Sequence, residues 1–120
     1  MKKINYFQDK EFYCKCGSCY KSTVSKELLR KLNKAREISQ TPFIINSGVR
    51  CEKHNINVGG SPTSSHMLGL AADIRYTNSS ECFKILNGLI LAGFRRIGIY
   101  KNFIHADIDK NKVQGVIWCK

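Results

Sequence analysis

Two amphipathic segments separated by short apolar runs limit the folds that this chain can adopt. Apolar residues recur at helical spacing over residues 25–38 and 78–91, with Ser25 and Asn78 as N-caps and Gly93 as the final stop. Short apolar runs lie between and after these segments and are bounded by turn residues, which favours strands. A helix followed by strands, and then a second helix followed by a hairpin, predicts an α+β fold: a small antiparallel sheet packed with helices.

The apolar runs predict where the strands lie. A turn signal at Thr41-Pro42 precedes the first run, and Lys101-Asn102 joins two later runs as a two-residue hairpin connection. The polar stretch 51–65 predicts a loop with one helical turn around His54. The predicted strands cover residues 43–45, 70–76, 97–100, 103–108 and, at an edge of the sheet, 116–118.

The size and composition of the chain favour one folded unit. Its 120 residues are 42% hydrophobic and 24% charged, as in ordinary globular proteins, so we expect a single domain over residues 1–120. The N-terminal residues include no apolar run typical of a secretory signal, and no apolar stretch approaches the roughly 20 residues that span a bilayer. We therefore expect a cytoplasmic protein without a signal peptide, no membrane span, and a monomer, since no feature requires more.

The net charge of +11 predicts attraction to a polyanion. The 20 Lys and Arg residues are spread along the chain, and no Gly-rich phosphate loop or aromatic-basic motif accompanies them. We therefore expect no nucleic-acid partner, whereas anionic cell-wall polymers or an acidic peptide fit the charge.

Six cysteines in a chain without a secretory signal predict reduced thiols rather than a disulfide scaffold. Cys14, Cys16 and Cys19 form a C-x-C-x-x-C cluster, for which two interpretations stay open. One is a reduced, turn-rich hairpin, and the other is a thiolate zinc site that Cys51 completes. Cys82 lies in an apolar helical pattern, so we expect it to be buried without a chemical role.

Two of the three histidines lie in dense polar signatures and indicate a metal site. Zinc favours imidazole nitrogen and carboxylate oxygen, and a catalytic site needs three protein ligands and an open position. His66, Asp73 and His105 supply such a set, because Gly69 permits a bend between the first two and a hairpin strand carries the third. Asp107 lies on the same strand face as His105, so these two side chains can act together.

These motifs resemble those of the zinc D-alanyl-D-alanine carboxypeptidases and L-alanyl-D-glutamate endopeptidases, which include phage endolysins and, distantly, the hedgehog signalling domain. The resemblance spans most of the chain, and its motifs occur in the same order. They are Glu11-Phe12 with the cysteine cluster and residues 45–50, 54–60, 65–73 and 103–107.

The resemblance implies a zinc ion on His66, Asp73 and His105. It also implies that Arg50 lies near the metal and binds substrate, and we expect Ser65 to be a second substrate-binding residue. An arginine suits a substrate carboxylate or a polarised carbonyl oxygen. The alternative for Arg50 is an ion pair with a carboxylate of the protein itself.

The identity of the general base stays open. Zinc would polarise the scissile carbonyl and activate a water molecule, while a nearby carboxylate takes the proton. Many relatives carry an acid three positions before the last histidine ligand, where this chain has Asn102. Asp107 is therefore predicted either as the base or as a residue that orients His105.

The expected function is zinc-dependent hydrolysis of a peptide bond in the peptidoglycan stem peptide, by a carboxypeptidase or an endopeptidase. A phage or prophage lysin, acting on the wall after release or as a virion component, fits a chain without a signal. The alternative is a catalytically inactive, zinc-containing cell-wall-binding module, which Asn102 would explain. A third reading, a nucleic-acid binder built on the cysteine cluster, requires metal that depends on Cys14 rather than on His66.

Overall fold

Helices and short strands alternate from residue 26 to residue 95, and three strands follow. The computed structural model describes residues 5–17, 19 and 23–120. In this part of the chain the helices are α1 (Lys26–Ser39), α2 (Glu52–Asn57) and α3 (Ser79–Leu91), and none is long and apolar enough to cross a bilayer. The strands are β1 (Ile44–Ser47), β2 (Ala71–Arg75), β3 (Arg96–Ile99), β4 (Phe103–Asp107) and β5 (Val116–Cys119), and two 3₁₀ turns cover Asp9–Phe12 and Ser65–Leu68.

Side-chain caps begin the two long helices where the sequence predicts them. Ser25 Oγ accepts a hydrogen bond from Leu28 N at 3.2 Å, and Asn78 Oδ1 accepts one from Glu81 N at 2.9 Å. Each bond satisfies a backbone N–H that has no partner within the first helical turn. Both helix predictions are confirmed, and the single helical turn expected around His54 is the short helix α2.

The five strands form one sheet in the order β1-β2-β4-β3-β5. The β1–β2, β2–β4 and β3–β4 pairs are antiparallel, and the predicted Lys101-Asn102 connection lies at the tip of the β3–β4 hairpin. The predicted edge strand β5 instead pairs in parallel with β3. The segment 108–115 leaves β4 and passes the start of β3, so β5 enters the sheet from the same end as β3. The α+β class is confirmed, and the sheet is mixed rather than wholly antiparallel.

One face of the sheet is apolar and packs against α1 and α3. Side chains alternate between the two faces along each strand, so Ala72 and Ile74 of β2 lie beside Ile104 and Ala106 of β4 in the core. The residues between them on each strand point to the opposite face, which carries polar side chains. The helices contribute to the core the buried residues Leu28, Leu32, Ala35, Ile85 and Leu89.

The N-terminal segment packs against the chain between β1 and α2. Val49 N donates to Phe12 O at 2.8 Å, and the rings of Phe12 and Phe7 meet edge to face in the core at 5.6 Å. A Cβ atom at Gly48 would lie 2.7 Å from Phe12 Cα, so this contact requires glycine. The contact fixes the segment that leads from β1 to Arg50.

Candidate metal centre

A row of residues in register crosses all five strands on the polar face of the sheet. Ser47 of β1 lies opposite Asp73 of β2, which lies opposite His105 of β4. Gly98 of β3 continues the row from His105 to Trp118 of β5. Residues directly opposite each other on paired strands have Cβ atoms about 4.5–5.5 Å apart, so the pairing of β2 with β4 brings Asp73 and His105 together.

His66 reaches the same place from the 3₁₀ turn before β2. Ser64 Oγ caps this turn by accepting a hydrogen bond from His66 N at 3.2 Å. Gly69 ends the turn with φ of 71°, in the left-handed region. A Cβ atom there would also lie 2.1 Å from Thr23 O. The bend predicted at Gly69 is therefore present, and both its backbone angle and its close contact require glycine.

The three predicted ligands converge on one carboxylate oxygen. His66 Nε2 lies 3.1 Å from Asp73 Oδ1, and His105 Nδ1 lies 3.0 Å from the same oxygen. One ligand atom from each residue lies within 4.8 Å of the other two. His66 and Asp73 are buried and His105 is largely so, which gives two imidazoles and a carboxylate in a protected cluster.

The far nitrogen of each imidazole is held by an acceptor. His66 Nδ1 lies 2.7 Å from Gly48 O, and since a carbonyl oxygen only accepts, Nδ1 donates. His105 Nε2 lies 2.8 Å from Asp107 Oδ2, to which it donates in the same way. Each ring can then offer the lone pair of its other nitrogen toward Asp73 Oδ1. Three lone pairs directed at one point repel unless a cation lies between them, so the donor set fits a metal ion.

Without a metal, the hydrogen bonds within the cluster shift the pKa values of Asp73 and His105. Burial alone would raise the pKa of Asp73, but hydrogen bonds from His105 and His66 outweigh it and hold that pKa well below its usual range. Burial alone would lower the pKa of His105, but hydrogen bonds to Asp107 and Asp73 raise it above its usual value. Asp73 and His105 therefore both favour their charged forms in the metal-free chain.

Arg50 is bound to the metal cluster through Asp73. Its Nη2 donates to Asp73 Oδ2 at 3.2 Å, its Nε to Ser47 Oγ at 3.1 Å and its Nη1 to Asn55 Oδ1 at 3.2 Å. These contacts use three of the five guanidinium N–H groups. The ion pair with a carboxylate of the protein, predicted as the alternative for Arg50, is therefore formed with Asp73. Arg50 also lines the cavity beside the cluster, a position that is compatible with the predicted substrate-binding role.

Asp107 is buried on the side of His105 that faces away from Asp73. Its Oδ2 accepts from His105 Nε2, while its Oδ1 accepts from Arg96 Nε at 2.9 Å and from Asp109 N at 3.1 Å. Burial would raise its pKa, but the His105 hydrogen bond, the Asp109 backbone and the Arg96 charge together lower it. Asp107 is absent from the described residues that line the cavity. This position suits a residue that orients His105, and the choice between that role and the general base stays a prediction.

Ser65 lies in the cavity wall, but its hydroxyl is engaged within the protein. Ser65 Oγ donates to Asp109 Oδ2 at 2.8 Å and accepts from Lys112 Nζ at 2.9 Å. Its side chain is buried. These contacts support the turn that carries His66, and the substrate-binding role of Ser65 stays a prediction.

A cavity of about 480 Å³ opens beside the cluster. The stacked rings of Tyr100 and Phe103, with centroids 4.5 Å apart, form part of its wall. Lys120 also contributes to the wall, and Asp73 is the one carboxylate among its described lining residues. Asn102 lies outside this wall, exposed at the hairpin tip.

The structure also brings together the four predicted thiols. Cys14, Cys16, Cys19 and Cys51 place their sulfur atoms within 4.8 Å of one another, separately from the histidine cluster. Cys82 packs against the core from α3, as its helical pattern indicates, but it is half-buried rather than buried.

Two side chains that support the site were missed in the sequence. Arg96 pairs with Asp107, and Trp118 lies 5.6 Å from the ring of His105 and 5.1 Å from the guanidinium carbon of Arg96. A Cβ at Gly98 would lie 2.4 Å from Trp118 Nε1, so the indole reaches over β3 because that position is glycine. A charged residue at the start of an apolar strand was the available signal for Arg96.

Two imidazoles and a carboxylate, held on an α+β scaffold beside an open cavity, define the site of a metal-dependent hydrolase. The family model described as Peptidase M15 matches residues 5–107, and the chain belongs to this family of metallopeptidases. The match confirms the family resemblance of its motifs. A comparison with curated proteins gives no match. M15 peptidases are typically metal-dependent, in agreement with the donor set.

Proposed function

We propose that this chain hydrolyses a peptide bond in the peptidoglycan stem peptide, with a zinc ion held by His66, Asp73 and His105. The observation that carries the proposal is the convergence of two oriented imidazoles and a carboxylate on one point at the edge of a cavity. Family membership supports peptide hydrolysis. The proposal includes the role expected from the sequence, that of a phage or prophage lysin that acts on the cell wall after release or as a virion component.

The charge of the cavity supports an acidic peptide as substrate. Arg50 and Lys120 line it, and Asp73, which is paired with Arg50, is the one carboxylate among the described lining residues. Three of the Arg50 N–H groups hold the protein, which leaves two for a substrate carboxylate. The net charge of +11 would in addition draw the chain to an anionic wall.

The residues around the cluster have separable tasks in this reaction. When bound, zinc supplies Lewis-acid polarisation of the scissile carbonyl and activation of water. Asp107 keeps the Nε2 proton on His105, so that Nδ1 stays available as a ligand. Tyr100 lines the cavity and its hydroxyl accepts from Trp118 Nε1 at 3.1 Å, so its own proton can be donated to a polar group of the substrate.

Digestion of purified peptidoglycan tests the proposal. The parent chain, loaded with zinc, should release stem-peptide fragments whose new amino and carboxyl termini identify the bond by mass spectrometry. His66→Ala should lose both zinc at this site and hydrolysis. His54→Ala is the matched control, because His54 lies on α2 outside the cavity wall, and it should retain both.

A second candidate function rests on Asn102. This residue stands where many relatives carry an acid, and the described cavity wall contains no carboxylate besides Asp73. A zinc-containing module that binds the cell wall without hydrolysing it would need no such carboxylate to act as a general base. If the parent chain binds zinc and sediments with peptidoglycan but releases no fragment from several wall types, this function replaces the peptidase.

A further inference from the structure

A second cluster of metal-binding side chains lies between the N-terminal segment and α2. Cys14, Cys16 and Cys19 come from one segment, and Cys51 is the N-cap residue of α2. All four sulfur atoms lie within 4.8 Å of one another, and Cys16 Sγ lies 3.2 Å from Cys19 Sγ. Four sulfurs around one zinc ion at about 2.3 Å are about 3.8 Å apart. Shifts of about 1 Å or less would therefore complete a tetrahedron.

Backbone N–H groups already point at two of these sulfurs. Cys51 N donates to Cys14 Sγ at 3.3 Å, and His54 N donates to Cys51 Sγ at 3.4 Å. These two contacts fix the positions of Cys14 Sγ and Cys51 Sγ from the backbone, as the outer contacts of a metal site do for its ligands. The sulfurs are therefore held in place independently of the spacing between them.

The arrangement of the sulfurs favours a metal over disulfides. A disulfide requires one pair of sulfurs at about 2.05 Å and places no condition on a second pair. Here all four sulfurs share one compact volume, and Cys16 and Cys19 are farther apart than a bond allows. Soft thiolates in a tetrahedral set select zinc over harder divalent ions.

We propose that Cys14, Cys16, Cys19 and Cys51 bind a zinc ion in a closed structural site, separate from the site at His66, Asp73 and His105. A site with four protein ligands leaves no position for water or substrate, so it serves structure rather than hydrolysis. The list of ligands does not depend on the proposed peptidase function.

The position of the thiolate site gives it a task. Cys51 follows Arg50, and Val49 N is held by Phe12 O. The segment from Gly48 to Arg50 supplies the carbonyl that holds His66 and the guanidinium that holds Asp73. A zinc ion on the four cysteines would link the N-terminal segment to this segment. It would thereby hold in place the carbonyl and the guanidinium that contact His66 and Asp73.

Zinc content of the full chain, purified under reducing conditions, tests the proposal. The parent should hold two zinc ions per chain, and His66→Ala and Cys14→Ser should each hold one. Cys82→Ser is the matched control, because it removes a thiol outside the cluster, and it should keep both ions. Replacement of zinc by cobalt should give a sulfur-to-cobalt charge-transfer absorption that persists in His66→Ala and disappears in Cys14→Ser.

A measurement on the parent chain avoids the risk that a cysteine variant fails to fold. Titration with an organomercurial reagent should release one zinc ion as the clustered thiols react, while the ion at the histidine site stays bound. The proposal is overturned if the parent holds a single ion that His66→Ala removes. It is equally overturned if the cobalt form lacks the sulfur absorption, or if the reduced chain shows four reactive thiols at these positions without zinc release.

Discussion

Replacing Asp107 with asparagine should weaken zinc binding by switching the tautomer of His105. Both Arg96 Nε and Asp109 N contact Oδ1 of Asp107, whereas His105 Nε2 contacts Oδ2. The asparagine oxygen must therefore stay with the two donors, which places its NH₂ group against His105. Two donors cannot face each other, so the His105 proton moves to Nδ1, the nitrogen that binds metal.

The expected loss follows from the contacts that change. Removing the partner of a ligating histidine typically costs 10–100-fold in metal affinity, or about 1.4–2.7 kcal/mol. The Arg96 and Asp109 contacts survive in Asp107→Asn, so the chain should stay folded. Zinc competition against a chromophoric chelator at fixed pH measures the affinity of the site that His66→Ala removes.

Asp109→Asn is the matched control for this experiment. Asp109 is also a buried carboxylate, but it contacts Ser65 and Lys112 rather than His105. Its substitution should leave zinc affinity within about threefold of the parent value, since no hydrogen bond to a ligand changes. If Asp107→Asn instead keeps full zinc affinity and loses only hydrolysis, the tautomer argument is refuted and Asp107 acts as the general base.

Three further predictions concern pH and stability. In the metal-free chain the pKa of His105 in the folded state lies above its ordinary 6.5. Protonated His105 therefore contributes fully to the free energy of unfolding below the unfolded-state pKa, and this contribution is lost as pH rises through the folded-state pKa. Urea unfolding in the presence of a chelator should show this fall in stability with rising pH for the parent and not for His105→Gln. Gly88→Ala should lower the free energy of unfolding by about 1–3 kcal/mol, since its Cβ would lie 2.5 Å from Ala35 O. Denaturant unfolding measures this, with Asn87→Ala at an exposed site of the same helix as the control, and equal free energies of unfolding for the two variants would contradict the prediction. Ser25→Ala should cost about 1 kcal/mol through loss of the α1 cap, and thermal unfolding should show Ser25→Asn near the parent.

Most of the helices and the hairpin could be predicted because their signals are local. Ser25 and Asn78 identify helix starts from the side chain alone, and the alternation within residues 103–107 identifies both faces of β4. The parallel pairing of β5 could not be predicted, because it depends on the path that segment 108–115 takes past β3. That path is decided by packing across the sheet rather than by any turn residue.

The candidate ligands could be found from residue type and motif, but the groups that orient them could not. Gly48 holds His66 through a backbone carbonyl, which every residue has and no sequence pattern distinguishes. Arg96 meets Asp107 only because β3 and β4 pair in one register, and a shift of one residue would send their side chains to opposite faces. Long-range register therefore carries information that local sequence does not.

The pairing of charges in the site bears on which peptides the proposed enzyme would accept. Arg50 pairs with Asp73 and Arg96 pairs with Asp107, so each carboxylate is already matched by a guanidinium. A divalent ion at the three ligands would then add positive charge that no other side-chain carboxylate in the described cavity wall offsets. At an effective dielectric constant of about 20, two unit charges about 4 Å apart interact by about 4 kcal/mol. If the chain is the proposed peptidase, we expect it to prefer a carboxylate beside the scissile bond because of the two arginine pairs, rather than because of the net charge of the whole chain.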